Sequence, residues 1–253
     1  MTALPPDITP DALASLPRED REQALALLGE RRRREGQRLF HRLFPEEGPR
    51  ARHLYPRHLE FFRAGAEYRE RCFMAANRVG KTVSGGFECA CHLTGLYPAW
   101  WEGKRFDRPV SGWAAGKTNE TTRDIVQRKL LGRTVKGTVK SLDGTGIVPG
   151  ERLGDVTWKQ GVPDLVDTVA VRHVSGEWST LGLKSYQQGR GSFEGTEQDF
   201  IWLDEEPPMD VYGECLIRTA TTGGIVMITF TPLEGLSEVV MQFLPGDMRA
   251  GEG

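Results

Sequence analysis

The sequence has no apolar run approaching the roughly 20 residues that a helix needs to span a bilayer. Its N-terminus also lacks the charged-then-apolar order of a secretion leader. The expectation is a chain that makes no membrane contact and works in the cytoplasm of whichever cell makes it. Cysteine is scarce. The four residues Cys72, Cys89, Cys91 and Cys215 contain no Cys-x-x-Cys pair, which argues against a zinc scaffold. Cys89-Ala90-Cys91-His92 has the residue types of a metal cluster, but helix neighbours one or two apart do not share a face. Reduced, mostly buried thiols are expected. An excess of one charge is missing as well. The formal net charge of -2 argues against a uniformly basic nucleic-acid binder and leaves room for a local basic track. There is no internal repeat and no low-complexity tract.

What is present is a 253-residue chain of globular composition, enough for one sizeable core with appendages. It is organised around Phe73-Met74-Ala75-Ala76-Asn77-Arg78-Val79-Gly80-Lys81-Thr82. The run Cys72 to Ala76 reads as a buried strand, and a helix to about Leu93 follows the Gly-Lys-Thr. The spacing matches the phosphate-loop pattern except that Ala75 stands at the first Gly. In such a loop the backbone N–H groups point at nucleotide phosphates. Gly80 permits close approach, Lys81 reaches the β- and γ-phosphates, and Thr82 enters the Mg²⁺ shell. The bland alternative is a turn leading into a helix.

A second run, Phe200-Ile201-Trp202-Leu203-Asp204-Glu205-Glu206, is four apolar residues followed by acids. Alone it could be a core strand ending in a solvated turn. Beside a phosphate loop, Asp204 would hold Mg²⁺ and Glu205 would orient and deprotonate the attacking water. A third strand, Ile228-Thr229-Phe230-Thr231-Pro232, carries hydroxyls at its carboxyl end, where they can sense the γ-phosphate. Phosphoryl transfer needs further positive charge on that phosphate. The candidates are Arg78, Arg190 in the turn Gln188 to Gly195, and Arg218 before the third strand.

Strands alternate with helices throughout. Pro109 to Ala115 is a strand candidate and Asn119 to Leu131 a helix. Gly132 to Gly161 reads as loop or edge structure. Leu165 to Val174 and Trp178 to Tyr186 form a hairpin around Ser175-Gly176-Glu177. A short helix is expected over Asp210 to Leu216 and another over Ser237 to Phe243. The fold class is α/β, a mostly parallel central sheet flanked by helices, with ligands at the carboxyl ends of the strands. Residues 1–53 read as an N-terminal helical arm, 54–244 as the main domain and 245–253 as a flexible tail. Within the arm, Arg31 to Arg34 with Arg38 and Arg42 is either a solvated helical face or a contact for DNA or an acidic neighbour. Tyr55, Phe61 and Phe62, just upstream of the loop strand, could grip an adenine or fill the core.

With these motifs in order, the chain resembles the ATPase domain of the large terminase subunit of tailed bacteriophages, the motor that packages DNA into the capsid. The resemblance rests on Tyr55-Pro56 with Leu59 to Phe62, Ala76 to Thr82, Ile201 to Pro207, and Thr229-Phe230-Thr231-Pro232-Leu233-Glu234-Gly235. It implies a P-loop NTPase fold of the additional-strand (ASCE) type, with ATP and Mg²⁺ as cofactors. It further implies double-stranded DNA, a portal protein and a small terminase subunit as partners in the host cytoplasm. A homo-oligomeric ring on the portal, and a monomer when alone, are part of the same expectation. By this resemblance Ala76, Asn77, Arg78, Val79, Gly80, Lys81 and Thr82 bind nucleotide, with Tyr55 and His58 at the adenine. Thr82 and Asp204 hold the metal, Glu205 is the catalytic base, Arg78, Arg190 and Arg218 are the catalytic arginines, and Thr229 and Thr231 couple hydrolysis to movement. Many relatives place an Arg four residues before the loop Lys, where this chain has Asn77. Many have a Gln after the upstream Pro, where this chain has Arg57-His58. The family's C-terminal nuclease has no counterpart before Gly253, so no nuclease activity is expected of this chain. The competing readings are a helicase-like DNA-dependent ATPase and a non-hydrolysing nucleotide switch in an assembly.

Overall fold

The computed structural model describes residues 10–36, 38–232, 235 and 237–244. Helices α1 (Pro10–Ala14), α2 (Arg18–Gly36) and α3 (Leu39–Arg42) precede α4 (Pro56–Ala64) and strand β1 (Glu70–Met74). Helix α5 (Lys81–Thr94) leads to β2 (Ser111–Gly116), followed by α6 (Asn119–Thr121), a π turn over Thr122–Gln127 and α7 (Arg128–Leu130). Next come β3 (Thr134–Val135), β4 (Ser141–Leu142), β5 (Leu153–Trp158), β6 (Val166–Arg172), β7 (Trp178–Ser185) and β8 (Phe200–Asp204). Helix α8 (Met209–Ala220), β9 (Ile225–Phe230) and α9 (Glu238–Phe243) complete the described chain. Among these residues no helix is long and apolar enough to cross a membrane.

Seven strands make one sheet in the order β1-β9-β8-β2-β7-β6-β5. The pairs from β1 through β7 are parallel, and β6 and β5 add an antiparallel flank. The parallel strands must be covered on both faces, and β8 is buried at all five positions. Strand alternation sends Trp202 into one core with Phe62, Phe87 and Leu130. Ile201 and Leu203 enter the other, with Tyr186, Phe193 and Tyr212. This is a mostly parallel α/β architecture, with β1, β9 and β8 side by side.

Several element limits differ from the sequence pattern for physical reasons. Strand β1 stops at Met74, because Ala75 and Ala76 already turn into the loop; the Ala75 N–H still reaches the Phe230 carbonyl at 3.3 Å. The segment 119–130 is helical as expected, but its centre is wound as a π turn. The Gly-rich stretch 132–161 holds a two-stranded hairpin and the edge strand β5. Helix α8 continues to Ala220, since Cys215 and Thr219 keep a buried stripe going. Phe40 and Phe44 pack in the same core as Phe62 and Phe87, so that core reaches upstream of residue 54. The side chains of Arg31 to Arg34, residues 233, 234 and 236, and the tail from 245 lie outside the described residues. All four cysteines are free, and three of them are buried.

One charged group lies deep in the core beneath the first strand. Arg71, 4% exposed, makes a two-pronged contact with the fully buried Glu88 at 2.7 and 3.2 Å. Arg71 also donates to the Phe61 carbonyl at 2.6 Å, and His92 Nε2 lies 3.3 Å from Glu88. Desolvation pushes the Glu88 carboxyl toward protonation, but Arg71 and His92 outweigh it and hold its pKa below the ordinary value. Removing one partner strands the other without water. Glu88→Ala should therefore destabilise the protein by about 3–5 kcal/mol. The double replacement Arg71→Met, Glu88→Leu should cost much less. Denaturant unfolding of both variants checks this, and a single variant no less stable than the double one would contradict it.

Candidate active site

The site is built where three parallel strands end together. The loop after β1 is forced into shape by two left-handed residues, Arg78 at φ 64° and Gly80 at φ 93°. A non-glycine residue there costs on the order of 1 kcal/mol, so Arg78 is a strained position. Gly80 must also be small: a Cβ would lie 3.1 Å from the His58 ring. Gly80 is the N-cap of α5, which places Lys81 and Thr82 in its first turn.

Lys81 is buried, and its ammonium donates to the Ala76 carbonyl at 2.6 Å and to Thr231 Oγ1 at 2.9 Å. Thr231 in turn donates to Asn77 Oδ1 at 2.8 Å, so the end of β9 is tied to both sides of the loop. Burial lowers the Lys81 pKa, with Glu205 and Asp204 opposing. Asp204 accepts from Thr82 at 3.1 Å and from Thr229 at 2.8 Å. Thr229 accepts from the Trp202 indole N–H at 2.8 Å. That indole passes so close to α5 that a Cβ on Gly85 would lie 2.3 Å from its nitrogen, which is why a glycine stands there. Lys81, Thr82, Asp204, Thr229 and Thr231 are thus brought together from β1's loop, β8 and β9. Glu205 follows Asp204, exposed and left-handed at φ 67°, with its N–H on the Thr229 carbonyl at 2.9 Å.

Two cavities flank this line. One of about 900 Å³ is lined by Tyr55, His58, Phe61, Phe73, Arg78 and Val79. The other, about 580 Å³, is lined by Lys117, Tyr186, Glu205, Glu206, Thr231 and Ser237. Phe62 is 1% exposed and belongs to the core, whereas Phe61 both packs on Phe73 and faces the larger cavity. His58 also lines that cavity, but its Nδ1 lies 2.6 Å from Ser84 Oγ, which ties it to the first turn of α5. Desolvation lowers its pKa, partly opposed by a contact with the Val79 backbone.

Arg78 stands apart from the other two arginines. Arg78 is exposed on the loop itself. Arg190 pairs with Glu214 of α8 at 2.9 Å, and the same nearly buried carboxylate also holds Arg218 at 2.9 Å. The Arg218 carbonyl accepts from Gln198 just before β8, so Arg218 lies at the amino ends of the strands. Four strand rises separate Phe200 from Asp204, about 13 Å. A helix that returns the chain to start a parallel strand must end at that strand's amino edge. Arg218 is therefore a partner of Glu214 at the amino ends of the strands, away from the phosphate loop of its own chain. Sequence reasoning missed Glu214, Tyr186, Ser84 and the Trp202–Thr229 bond. Only the last had a signal, the small residues Gly85-Gly86 facing a tryptophan strand.

The donors fit a hard cation: one carboxylate and one hydroxyl, adjacent and oxygen-based. Among the described residues no group of three His, Cys, Asp or Glu side chains could hold a metal by itself. Phosphate oxygens would have to complete the shell, as they do for Mg²⁺ in phosphoryl-transfer sites. Burial raises the Asp204 pKa to about 6, although Thr229 and Thr82 oppose it. Its unfolded value is about 3.9, so ionising it costs the folded state as pH rises from about 4 to about 6. Asp204→Asn should then stabilise the metal-free protein at pH 7.5, by up to roughly 3 kcal/mol, and the gain should vanish near pH 4. Denaturant unfolding at the two pH values checks this; an Asn variant less stable at pH 7.5 would contradict it.

Comparison with known proteins identifies the family. Residues 72–250 match the family model described as terminase large subunit, T4likevirus-type, N-terminal. The large terminase subunit of Salmonella phage P22 is 40% identical over 231 residues, covering 81% of this chain and 45% of that protein. The chain thus spans about half the length of this relative. Among solved structures, the ATPase domain of the large terminase of Thermus phage P74-26 is 17% identical. That alignment covers 68% of this chain and 63% of the other, with a TM-score of 0.47. On the matched span and the P22 identity, the chain belongs to the terminase large-subunit family.

Proposed function

We propose that this chain hydrolyses ATP and couples the hydrolysis to movement of double-stranded DNA into a procapsid, as the motor region of a packaging terminase. The observation that carries the reading is a pair of hydrogen-bond runs, one from Lys81 through Thr231 to Asn77 and one from Thr82 through Asp204 and Thr229 to Trp202. They start from the adjacent residues Lys81 and Thr82 and so set the proposed phosphate-binding, metal-binding and coupling residues side by side. The larger cavity, with Tyr55 and His58 on its wall, would take the adenosine. Loop N–H groups and Lys81 would take the phosphates. Thr82 and Asp204 would hold Mg²⁺, which supplies charge neutralisation on the phosphate oxygens when bound.

Glu205 stands at the end of β8 with its side chain exposed, free to orient a water and take its proton. Lys81 donates to Thr231 and Ala76. A γ-phosphate competes for the same ammonium, so binding would loosen the end of β9 and hydrolysis would restore it. That exchange gives Thr229 and Thr231 their coupling role. Arg78 is the candidate for the γ-phosphate within one subunit. Arg190, half exposed on its turn, is the candidate to act on a neighbour's nucleotide in a head-to-tail ring. Family membership supports docking on a portal, with a small terminase subunit as a further partner.

Glu205→Gln keeps size and hydrogen bonding but removes the base. It should bind ATP with Mg²⁺ within about twofold of the native chain and hydrolyse it about 10²–10⁴-fold more slowly. Single-turnover hydrolysis beside equilibrium nucleotide binding measures both, and unchanged turnover would refute the assignment. If Arg190 acts on a neighbour, hydrolysis per subunit should rise with protein concentration in the native chain and stay flat in Arg190→Ala. A flat native profile, with and without DNA and portal, would count against it.

A further inference from the structure

We propose that Tyr186 is the positioning residue that sets Glu205, and that the Gly-rich turn it opens is the element through which that setting can be changed. The proposal rests on the reading of Glu205 as the base. Strand β8 pairs with β2 only as far as Leu203 opposite Ala115. Beyond that point Tyr186 takes over: its hydroxyl donates to the carbonyls of both Asp204 and Glu205, each at 3.0 Å. The Asp204 carbonyl belongs to the peptide unit before the Glu205 Cα and the Glu205 carbonyl to the unit after it. Holding both fixes φ and ψ of Glu205 together. That matters because Glu205 is left-handed at φ 67°, a conformation that persists in a non-glycine residue only when its surroundings over-determine it. The Glu205 N–H on Thr229 holds one side, and Tyr186 holds the other.

The hydroxyl is suited to the task. Tyr186 is 6% exposed, so its hydroxyl is shielded from solvent. Its backbone begins the turn that carries Arg190. Within that turn Phe193 is fully buried beside the Tyr186 ring. The Lys184 ammonium lies 4.3 Å from the centre of the Trp113 ring and donates to the Ser192 carbonyl. Arg190 is anchored on Glu214. The joint is Gly189, at φ 72° and ψ 171°, a conformation open essentially to glycine alone. Tyr186 and Glu205 face the same cavity, so a pull on Arg190 from outside has a short covalent path, through Gly189, to the group that holds the base.

Two variants of the full chain test this. Tyr186→Phe keeps the buried ring and deletes only the hydroxyl. Gly189→Ala shifts the joint where no atom would meet the new methyl group. Each should slow single-turnover ATP hydrolysis by about tenfold or more while leaving ADP binding within about twofold. In a Glu205→Gln background neither should slow it further by more than about twofold, because both act through Glu205. If Glu205→Gln is slow and Tyr186→Phe hydrolyses at the native rate, the positioning role is overturned and the base stands. If Tyr186→Phe slows hydrolysis equally in both backgrounds, Tyr186 is merely structural and the proposal falls. Native turnover in Gly189→Ala overturns the part assigned to the turn. Native turnover in Glu205→Gln removes the base and the proposal with it.

Discussion

A buried carboxylate held by two threonines is the interaction on which the site depends. Asp204 lies at the end of a strand with all five residues buried, and its partners are Thr82 from α5 and Thr229 from β9. Each hydroxyl arrives from a different element, so the three elements must meet in register for Asp204 to be satisfied. The carboxyl still carries a desolvation penalty, seen in its raised pKa. A divalent cation would relieve that penalty, which makes the site unfavourable alone and favourable when loaded. In the proposed function this is how nucleotide binding gains a hold on the fold.

The same economy of contacts explains how a small ligand could move a large strand. Lys81 and Thr231 share a bond that a phosphate would displace. Thr231 is also bonded to Asn77, so the loop and the end of β9 cannot change independently. Beyond Asp204, Tyr186 from one side and the Thr229 carbonyl of β9 from the other pin the peptide units of Glu205. In the proposed function, phosphate sensing and base positioning therefore meet at one strand end.

Much of this was legible in the sequence, for an identifiable reason. Gly80-Lys81-Thr82 and Asp204-Glu205 are contiguous, and each sits where an apolar strand stops, so local pattern alone puts them at one edge of a parallel sheet. Thr229 and Thr231 followed by the same logic. The antiparallel flank was visible as alternation in 165–186, but its edge strand β5 was not, because its half-buried residues lie in a Gly-rich stretch. The π turn over 122–127 has the apolar spacing of an ordinary helix, so nothing announces it. Arg218 precedes β9 in the sequence, but only the direction of the crossover helix shows that it lies at the amino ends of the strands. Tyr186 and Glu214 were illegible because their roles depend on a carbonyl or an arginine brought near only by tertiary packing.

In the proposed function, nucleotide phosphate takes Lys81 from Thr231 while Thr82 and Asp204 share one cation. A crystal structure with a non-hydrolysable ATP analogue and Mg²⁺ tests it directly. The expected result is the Lys81 ammonium on phosphate oxygens and out of hydrogen-bond reach of Thr231, with Thr82 and Asp204 at the metal directly or through water, and Glu205 facing the γ-phosphate. A bound nucleotide with Lys81 still on Thr231, or with the cation away from Asp204, would contradict it.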